Sequence, residues 1–213
     1  MVEISNVKVY DLEESIVACR NAMRLKPSDY FENPNCPKTV GQTEDWRKSL
    51  ERAIKLAKAP SNSGHANFLT GIRVSFDIKY PNYITPEMQR YHWFDIVTSS
   101  SKMHTLIKTA DDPSCYNKYV RPEALALMRH LMQSYNMACE TGTAEDQYEA
   151  FMQLVSNCPQ GIELFMRVST NYMQLRTIYA QRKNHKLKED WGAICKMIES
   201  LPYAKEFLLN SQE

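Results

Sequence analysis

The sequence predicts a helix-rich α+β domain with a small mixed or antiparallel sheet. Two observations lead to this class. Residues 72–80 alternate between apolar and polar side chains, which is the period of a strand buried on one face. From Arg121 onward, apolar residues instead recur at three- and four-residue spacing, as they do in amphipathic helices.

The N-terminal part is expected to contain one strand and two helices. Residues 7–10 are expected to form the strand, and residues 12–24 the first helix. The proline-containing stretch 26–42 is expected to be a loop, and loops of this length are often lids or binding loops. Thr43 is expected to cap the second helix, whose apolar positions run to Ala57.

The middle of the chain begins with the alternating strand 72–80, which Pro81 stops. Proline at position 86 suits the first turn of a helix, and we expect this helix to cover residues 86–109. The hydroxyl residues 98–101 are expected to interrupt it, because their side chains compete for backbone hydrogen bonds. A loop is expected at residues 111–113.

The C-terminal half is expected to be almost entirely helical. Proline and glycine residues mark the boundaries between its helices. The expected helices open at Pro122 and close at Gly142, open again after the cap Thr143 and close before Pro159, and then cover residues 162–182, 189–199 and 202–209.

Composition favours a single domain over residues 1–213. Apolar residues make up 43% and charged residues 24%, so the chain can bury a sizeable core. The formal net charge of +1 gives no general attraction to nucleic acid or to an anionic membrane. We see no signal-peptide core and no apolar run near the roughly 20 residues that cross a bilayer. The six cysteines form no C-x-x-C pair, which is typical of reduced thiols in a cytoplasmic protein.

Three local groups of residues could carry chemistry: His65 before the strand, residues 90–104, and residues 182–186. Each also has a structural explanation, namely a turn histidine, a helix break and a solvated basic helix end. Taken together, Arg90, Lys102 and Arg182 with the intervening hydroxyls could bind phosphate. They would suit one nucleotide with several phosphates or two phosphate ligands side by side. No glycine-rich phosphate loop and no HExxH metal motif is present.

The second group resembles a known signature. Flavin-dependent thymidylate synthases carry RHRxxSxNExSxRY, and this chain has RYHWFDIVTSSSKM from Arg90 to Met103. Arg90 matches the first arginine, Ser100 the second serine, and Lys102 replaces the late arginine. The spacing of other landmarks also agrees with the family, and His185 is off by one. These landmarks are Gly64, His65, Phe76, Pro81, Pro159, Asn171 and Arg182.

The resemblance, which covers most of the chain, implies a divergent member of this family with its fold. It implies contacts to FAD from His65, Arg90, His92, Asn171, Thr177 and His185. It implies contacts to a pyrimidine deoxynucleotide such as dUMP from Glu87, Ser100, Ser101, Lys102 and Arg182, with Ser100 as the catalytic residue. Members are homotetramers with shared active sites, reduce FAD with NADPH and take a carbon from methylenetetrahydrofolate in dTMP biosynthesis.

The chain departs from the family pattern at several polar positions. The departures are Val97 and Thr98 for an Asn-Glu pair, Tyr91 and His92 for a His-Arg pair, Glu87 for a glutamine, Val155 for an arginine, and Met23 for a small hydroxyl residue. A buried ligand group left without its partner would cost roughly 1–3 kcal/mol. The ligand, the reaction or both are therefore expected to differ from those of typical members.

Three hypotheses about function remain at this point. The first is a flavin-dependent methyl or other one-carbon transferase acting on a pyrimidine deoxynucleotide. The second is a catalytically inactive protein of the same fold that binds nucleotide or flavin. The third, least favoured because of the near-neutral charge, is a nucleic-acid-associated protein that uses its C-terminal cations. Those cations are Arg176, Arg182, Lys183, Lys186 and Lys188.

Overall fold

The computed structural model describes residues 1–25, 44–60 and 63–209. It confirms the expected class, because the chain is helix-rich and carries a small antiparallel sheet of four strands. The strands are β1 (Glu3–Tyr10), β2 (Arg73–Pro81), β3 (Asp95–Ser99) and β4 (Glu163–Asn171). The helices are α1 (Leu12–Ala18), α2 (Glu44–Ala57), α3 (Phe68–Gly71), α4 (Thr85–Met88), α5 (Lys102–Thr109), α6 (Pro122–Thr141), α7 (Ala144–Asn157), α8 (Tyr172–Arg182), α9 (Lys188–Glu199) and α10 (Ala204–Phe207).

The sheet has the strand order β1-β2-β4-β3. The central strand β2 confirms the predicted alternation, because Val74, Phe76, Ile78 and Tyr80 are buried and the residues between them are half-buried. β1 and β3 lie at the two edges, and all five residues of β3 are exposed. The sheet therefore buries the side chains of its centre far more than those of its edges.

The helix expected at residues 86–109 is wrong. α4 ends at Met88, β3 follows, and only Lys102–Thr109 returns to a helix as α5. The run Ile96-Val97-Thr98 is β-branched, which favours an extended backbone. At the end of this run, the amide of Ser100 donates to the carbonyl of Phe165, 2.8 Å away in β4, so pairing with a neighbouring strand overrides the helix start.

The helix expected at residues 162–182 is also wrong in its first half. That half is β4, in which Leu164, Met166, Val168 and Thr170 are buried at a period of two. α8 begins only at Tyr172, after Asn171 has accepted a 2.9 Å hydrogen bond from the amide of Gln174. The alternation was present in the sequence, but the helical neighbours on both sides obscured it.

The remaining expectations differ mainly at their boundaries. The first strand begins earlier, at Glu3, and the first helix stops at Ala18 before a 3₁₀ turn at Asn21–Met23. The second helix, the two helices after Pro122, and the helix ending at Glu199 are confirmed, whereas the last shortens to Ala204–Phe207. The predicted loop 26–42, the cap at Thr43 and the thiol of Cys36 lie outside the described residues.

The chain divides into two compact units, and a single domain over 1–213 stays a prediction. The first unit comprises Met1–Glu3, Asp77–Arg90 and Ile96–Arg167. Its core is formed where α5, α6 and α7 pack together, with Leu106, Met128 and Leu154 fully buried. A capping box opens α7: Thr143 Oγ1 accepts from the amide of Asp146, and the Asp146 carboxylate accepts from the amide of Thr143.

The second unit comprises Ile4–Phe76, Tyr91–Asp95 and Val168–Glu213. α1, α2, α3, α8, α9 and α10 pack against one another in it, around fully buried Ile16, Trp191 and Phe207. Arg176 is buried here, and its guanidinium donates a 3.0 Å hydrogen bond to the carbonyl of Ala57 at the end of α2. Among the helices of the described ranges, none combines the length and apolarity needed to cross a bilayer.

Candidate functional site

Ser100 lies where β3 ends and is held by the backbone of one residue. Its hydroxyl accepts a 2.9 Å hydrogen bond from the amide of Phe165 and donates a 3.3 Å bond to the carbonyl of the same residue. Both bonds attach the end of β3 to β4, within the first unit. The side chain named as catalytic from the family motif therefore has a structural task in this chain.

Lys102 is the first residue of α5, and Ser101 is its N-cap. The Ser101 hydroxyl makes no capping bond, and no acidic residue occupies the first turn of this helix. A cation is unfavourable at a helix N-terminus, where the helix dipole already presents partial positive charge. The field of Lys102 extends to Cys158, where it partly opposes the rise in the thiol pKa that burial causes. The start of α5 is thus electropositive and suited to an anion.

Glu87 and Arg90 are the other two expected site residues of the first unit. Glu87 is a half-buried residue of α4, and Arg90 is exposed two residues beyond the end of that helix. The division between the two units passes directly after Arg90, so its neighbour Tyr91 belongs to the second unit. The expected site residues of the first unit are therefore Glu87, Arg90, Ser100, Ser101 and Lys102.

Arg182, the last residue of α8, is oriented by two aromatic residues of the second unit. Its Nε donates a 2.7 Å hydrogen bond to the hydroxyl oxygen of Tyr91. Its guanidinium carbon lies 4.5 Å from the ring centroid of Trp191 and 5.6 Å from that of Tyr91, within cation–π range. The Tyr91 hydroxyl in turn donates to the side-chain carbonyl of Gln181 at 3.1 Å. These contacts fix the guanidinium before any ligand is bound.

His185 belongs to the same aromatic cluster. Its ring stands edge-on to Trp191, with the ring centroids 6.1 Å apart. The Nδ1 atom accepts a 3.2 Å hydrogen bond from the amide of Leu187. Arg182 and His185, expected from the sequence to contact different ligands, are thus brought to one cluster around Trp191.

Asn171 is buried and acts first as the N-cap of α8. Because its side-chain carbonyl accepts from Gln174, its amide nitrogen is the group able to donate to a ligand. Thr177 is exposed on the same helix, and its hydroxyl donates to the carbonyl of Met173 at 3.2 Å. His65 is exposed one residue after Gly64, whose φ of 71° requires the left-handed region that glycine tolerates.

His92 and Trp93 follow Tyr91 and are both exposed. Their rings meet edge to face at 4.7 Å between centroids, and the amide of Trp93 donates to the Gln174 side chain at 3.3 Å. With 52% of Trp93 exposed, its indole offers an aromatic face on which a flat heterocycle could stack.

Three residues that matter in the second unit were not among the expected site residues: Tyr91, Trp191 and Trp93. Tyr91 was treated only as a departure from the family pattern, whereas the structure makes it the hydrogen-bond partner of Arg182. No spacing rule links Trp191 to Arg182, because the two residues lie on different helices. Within the described ranges, no group of three or more His, Cys, Asp or Glu side chains is placed to hold a metal ion.

Comparison with known proteins gives a likeness of fold. The chain is similar to two solved structures of the flavin-dependent thymidylate synthase ThyX from Helicobacter pylori, both with FAD and dUMP. One has a TM-score of 0.60 at 15% identity, covering 97% of each chain. The other has a TM-score of 0.63 at 16% identity, covering 98% of this chain and 97% of that one. No family model and no curated protein matches the sequence. At such identity the likeness establishes the fold alone.

Proposed function

We propose that this chain is a flavin-dependent transferase that adds a one-carbon group to a pyrimidine deoxynucleotide such as dUMP. The observation that carries the proposal is Arg182, oriented by Tyr91 and Trp191 on a fold whose solved neighbours hold FAD and dUMP. A guanidinium fixed in this way can form paired charge-assisted bonds to phosphate with little further loss of entropy. Lys102, at the electropositive start of α5 in the first unit, is the other cation that the resemblance assigns to the nucleotide.

The chemistry of the expected flavin residues fits a flavin. Its ring carbonyls and its diphosphate are acceptors, and the exposed Arg90 and His92 and the amide group of Asn171 are donors. The exposed indole of Trp93 adds an apolar face of the size that a fused ring system needs. When bound, reduced flavin would supply the two electrons that convert a transferred methylene group to a methyl group.

The overall reaction is balanced with the co-reactants that the resemblance implies. The nucleotide would exchange the hydrogen on its base for a methyl group, with methylenetetrahydrofolate as the carbon donor and bound reduced flavin as the two-electron donor. NADPH would be the reductant of the oxidised flavin. In this scheme Arg182 binds the nucleotide phosphate and Asn171 orients the flavin, both in the second unit. Lys102 and Arg90 of the first unit keep the nucleotide and flavin contacts that the resemblance implies. Ser100 stays the expected catalytic residue, although its hydroxyl is bonded to the Phe165 backbone.

The experiment is an anaerobic single-turnover assay of the flavin-loaded protein with dUMP and methylenetetrahydrofolate. Mass spectrometry should detect dTMP in an amount matching the flavin oxidised. Arg182→Gln should abolish the product, and the matched variant Lys183→Gln, at the exposed neighbouring residue, should keep it. Loss of product in both variants, or no product with the unaltered chain, contradicts the proposal.

A second candidate function is a nucleotide- or flavin-binding protein without catalysis. It is favoured by one observation: both hydrogen bonds of the Ser100 hydroxyl go to the backbone of Phe165. Binding of dUMP with no flavin oxidation in the same assay would identify this function. The assay therefore separates the two candidates in one experiment.

We further propose that the chain is a homotetramer in the cytoplasm. Ile96 and Val97 on the edge strand β3 are 38% and 63% exposed, and Phe165 on β4 is 58% exposed. Apolar side chains grouped at a sheet edge are expected to be covered by another subunit. Light scattering should give four times the chain mass of 24.7 kDa, and a monomer would contradict the proposal.

A further inference from the structure

A basic cavity in the second unit has none of the expected site residues in its wall, although Met23, one of the departures from the family pattern, is part of it. It has a volume of about 250 Å³ and lies beside α2 and the 3₁₀ turn that follows α1. Four of the six lining side chains are cationic and one is a carboxylate. The lining residues are Arg20, Met23, Lys48, Glu51, Arg52 and Lys55.

Two arginine atoms at this cavity or next to it have no hydrogen-bond acceptor among the described residues. They are the buried Nε of Arg52, which lines the cavity, and one buried terminal nitrogen of Arg24. A buried guanidinium nitrogen without an acceptor is costly, since it has lost its water and gained no bond. An anionic ligand in the cavity would supply the missing acceptor to Arg52.

Within residues 1–25, 44–60 and 63–209, nearby acids pair with only some of these cations. Asp45 pairs with both Arg20 and Arg24, and Lys48 pairs with Glu44 at 2.6 Å. Over the same ranges, Arg52 and Lys55 face a cavity wall that contributes a single carboxylate, Glu51.

The thiol of Cys19 lies within this positive field. Burial raises the pKa of its thiol to about 11, while Arg52, Arg20 and Arg24 all act in the opposite direction. Three guanidinium groups thus act on one point beside the cavity.

We propose that this cavity binds the phosphates of a small molecule that carries two or more phosphate groups, with Arg52 and Lys55 as the principal ligands. Arginine presents donors in a fork that matches phosphate oxygens, and lysine adds a mobile charge. The volume is below the roughly 300–1,000 Å³ of sites that enclose a whole drug-sized ligand. It therefore suits a diphosphate or triphosphate group, with the rest of the molecule outside. The inference does not depend on the proposed transferase activity.

The experiment is calorimetric titration of the full chain with inorganic tripolyphosphate and pyrophosphate. Binding should weaken by about tenfold or more in Arg52→Gln, because a charge-assisted bond is lost. The matched control is Arg47→Gln, an exposed arginine of the same helix outside the cavity wall, and it should bind as the unaltered chain does. Lys55→Gln gives a second test if Arg52→Gln does not fold, as judged by circular dichroism.

The possible results separate the sources of the phosphate. Competition by FAD would assign the cavity to the flavin diphosphate, and binding unaffected by FAD would assign it to another phosphorylated molecule. Either result supports the site. No heat of binding, equal weakening by Arg47→Gln, or retention of single-stranded DNA without any tripolyphosphate binding would overturn it.

Discussion

The Nε of Arg182 donates a 2.7 Å hydrogen bond to the hydroxyl oxygen of Tyr91, and the guanidinium carbon of Arg182 lies 4.5 Å from the ring centroid of Trp191. In the family pattern Tyr91 stands where a histidine is usual, so the residue that departs from the motif is the one that positions the arginine.

Tyr91→Phe should weaken the binding of dUMP by about threefold to tenfold, because it removes one hydrogen bond worth roughly 1 kcal/mol from the support of Arg182. Isothermal titration measures the affinity. The control is Tyr179→Phe in α8, whose hydroxyl bonds to Glu199 instead. Equal affinity for Tyr91→Phe and the unaltered chain would show that Tyr91 does not position Arg182.

Lys102→Gln should have opposite effects on stability and on binding. Removing a cation from the N-terminus of α5 should stabilise the ligand-free protein by about 0.3–1 kcal/mol. The same change should lower the affinity for dUMP by about tenfold at low salt and by less at high salt. Denaturant titration and calorimetry measure the two effects. Lys108→Gln, in the last turn of the same helix, should neither stabilise the ligand-free protein nor lower its affinity for dUMP. A Lys102→Gln variant that is less stable than the unaltered chain would contradict the account.

Glu163 should contribute stability that depends on pH. Its side chain is 7% exposed and pairs with Lys79 at 2.5 Å and with the amino group of Met1 at 2.6 Å. Burial raises the pKa of this carboxyl, but the bonds and charges of these two partners outweigh burial and hold the pKa below its ordinary value of 4.5. The stabilisation is therefore present at neutral pH and is lost as the pH falls through the lowered pKa.

Glu163→Gln should cost about 1–2 kcal/mol at pH 7 and progressively less below pH 4.5, as urea denaturation at several pH values can measure. Asp77→Asn is the comparison, since it breaks the more exposed pair with Arg167 and should cost less than about 1 kcal/mol. A cost for Glu163→Gln that stays constant down to pH 2 would exclude the linkage.

Thr143→Ala should destabilise the chain by about 1 kcal/mol through loss of the capping box of α7. Asp146→Ala breaks the same box, so the double variant should cost less than the two single variants together. Thermal unfolding measures all three. The control is Thr141→Ala, two residues away, whose hydroxyl donates to the carbonyl of Met137 in its own helix; this change should have little effect. If the double variant costs as much as the two single variants together, the capping box is not cooperative.

The sequence predicted well wherever local signals and tertiary environment agreed. The strand carrying Phe76 alternates without exception, and the expected cap at Thr143 is confirmed at the start of α7. β3 and β4 were both expected to be helical: β3 is only five residues long, and the nine residues of β4 run directly into helix α8. Their strand state depends on pairing with a neighbouring strand, as in the bonds between Ser100 and Phe165.

The candidate site was predictable only in part for the same reason. Lys102 and Arg182 could be proposed from residue type and from the family motif. The contact of Arg182 with Tyr91 spans 91 residues of sequence, and its contact with Trp191 depends on how two helices pack. Such contacts leave no periodic signal in one sequence.

The most direct test of the central claim is the visible absorbance spectrum of the purified protein after FAD has been added and the excess removed. The account predicts a retained flavin band that shifts when dUMP is added, and a band that shifts less in Arg182→Gln. A colourless protein would contradict the flavin-dependent function. A flavin band whose position does not change when dUMP is added would contradict the nucleotide site at Arg182.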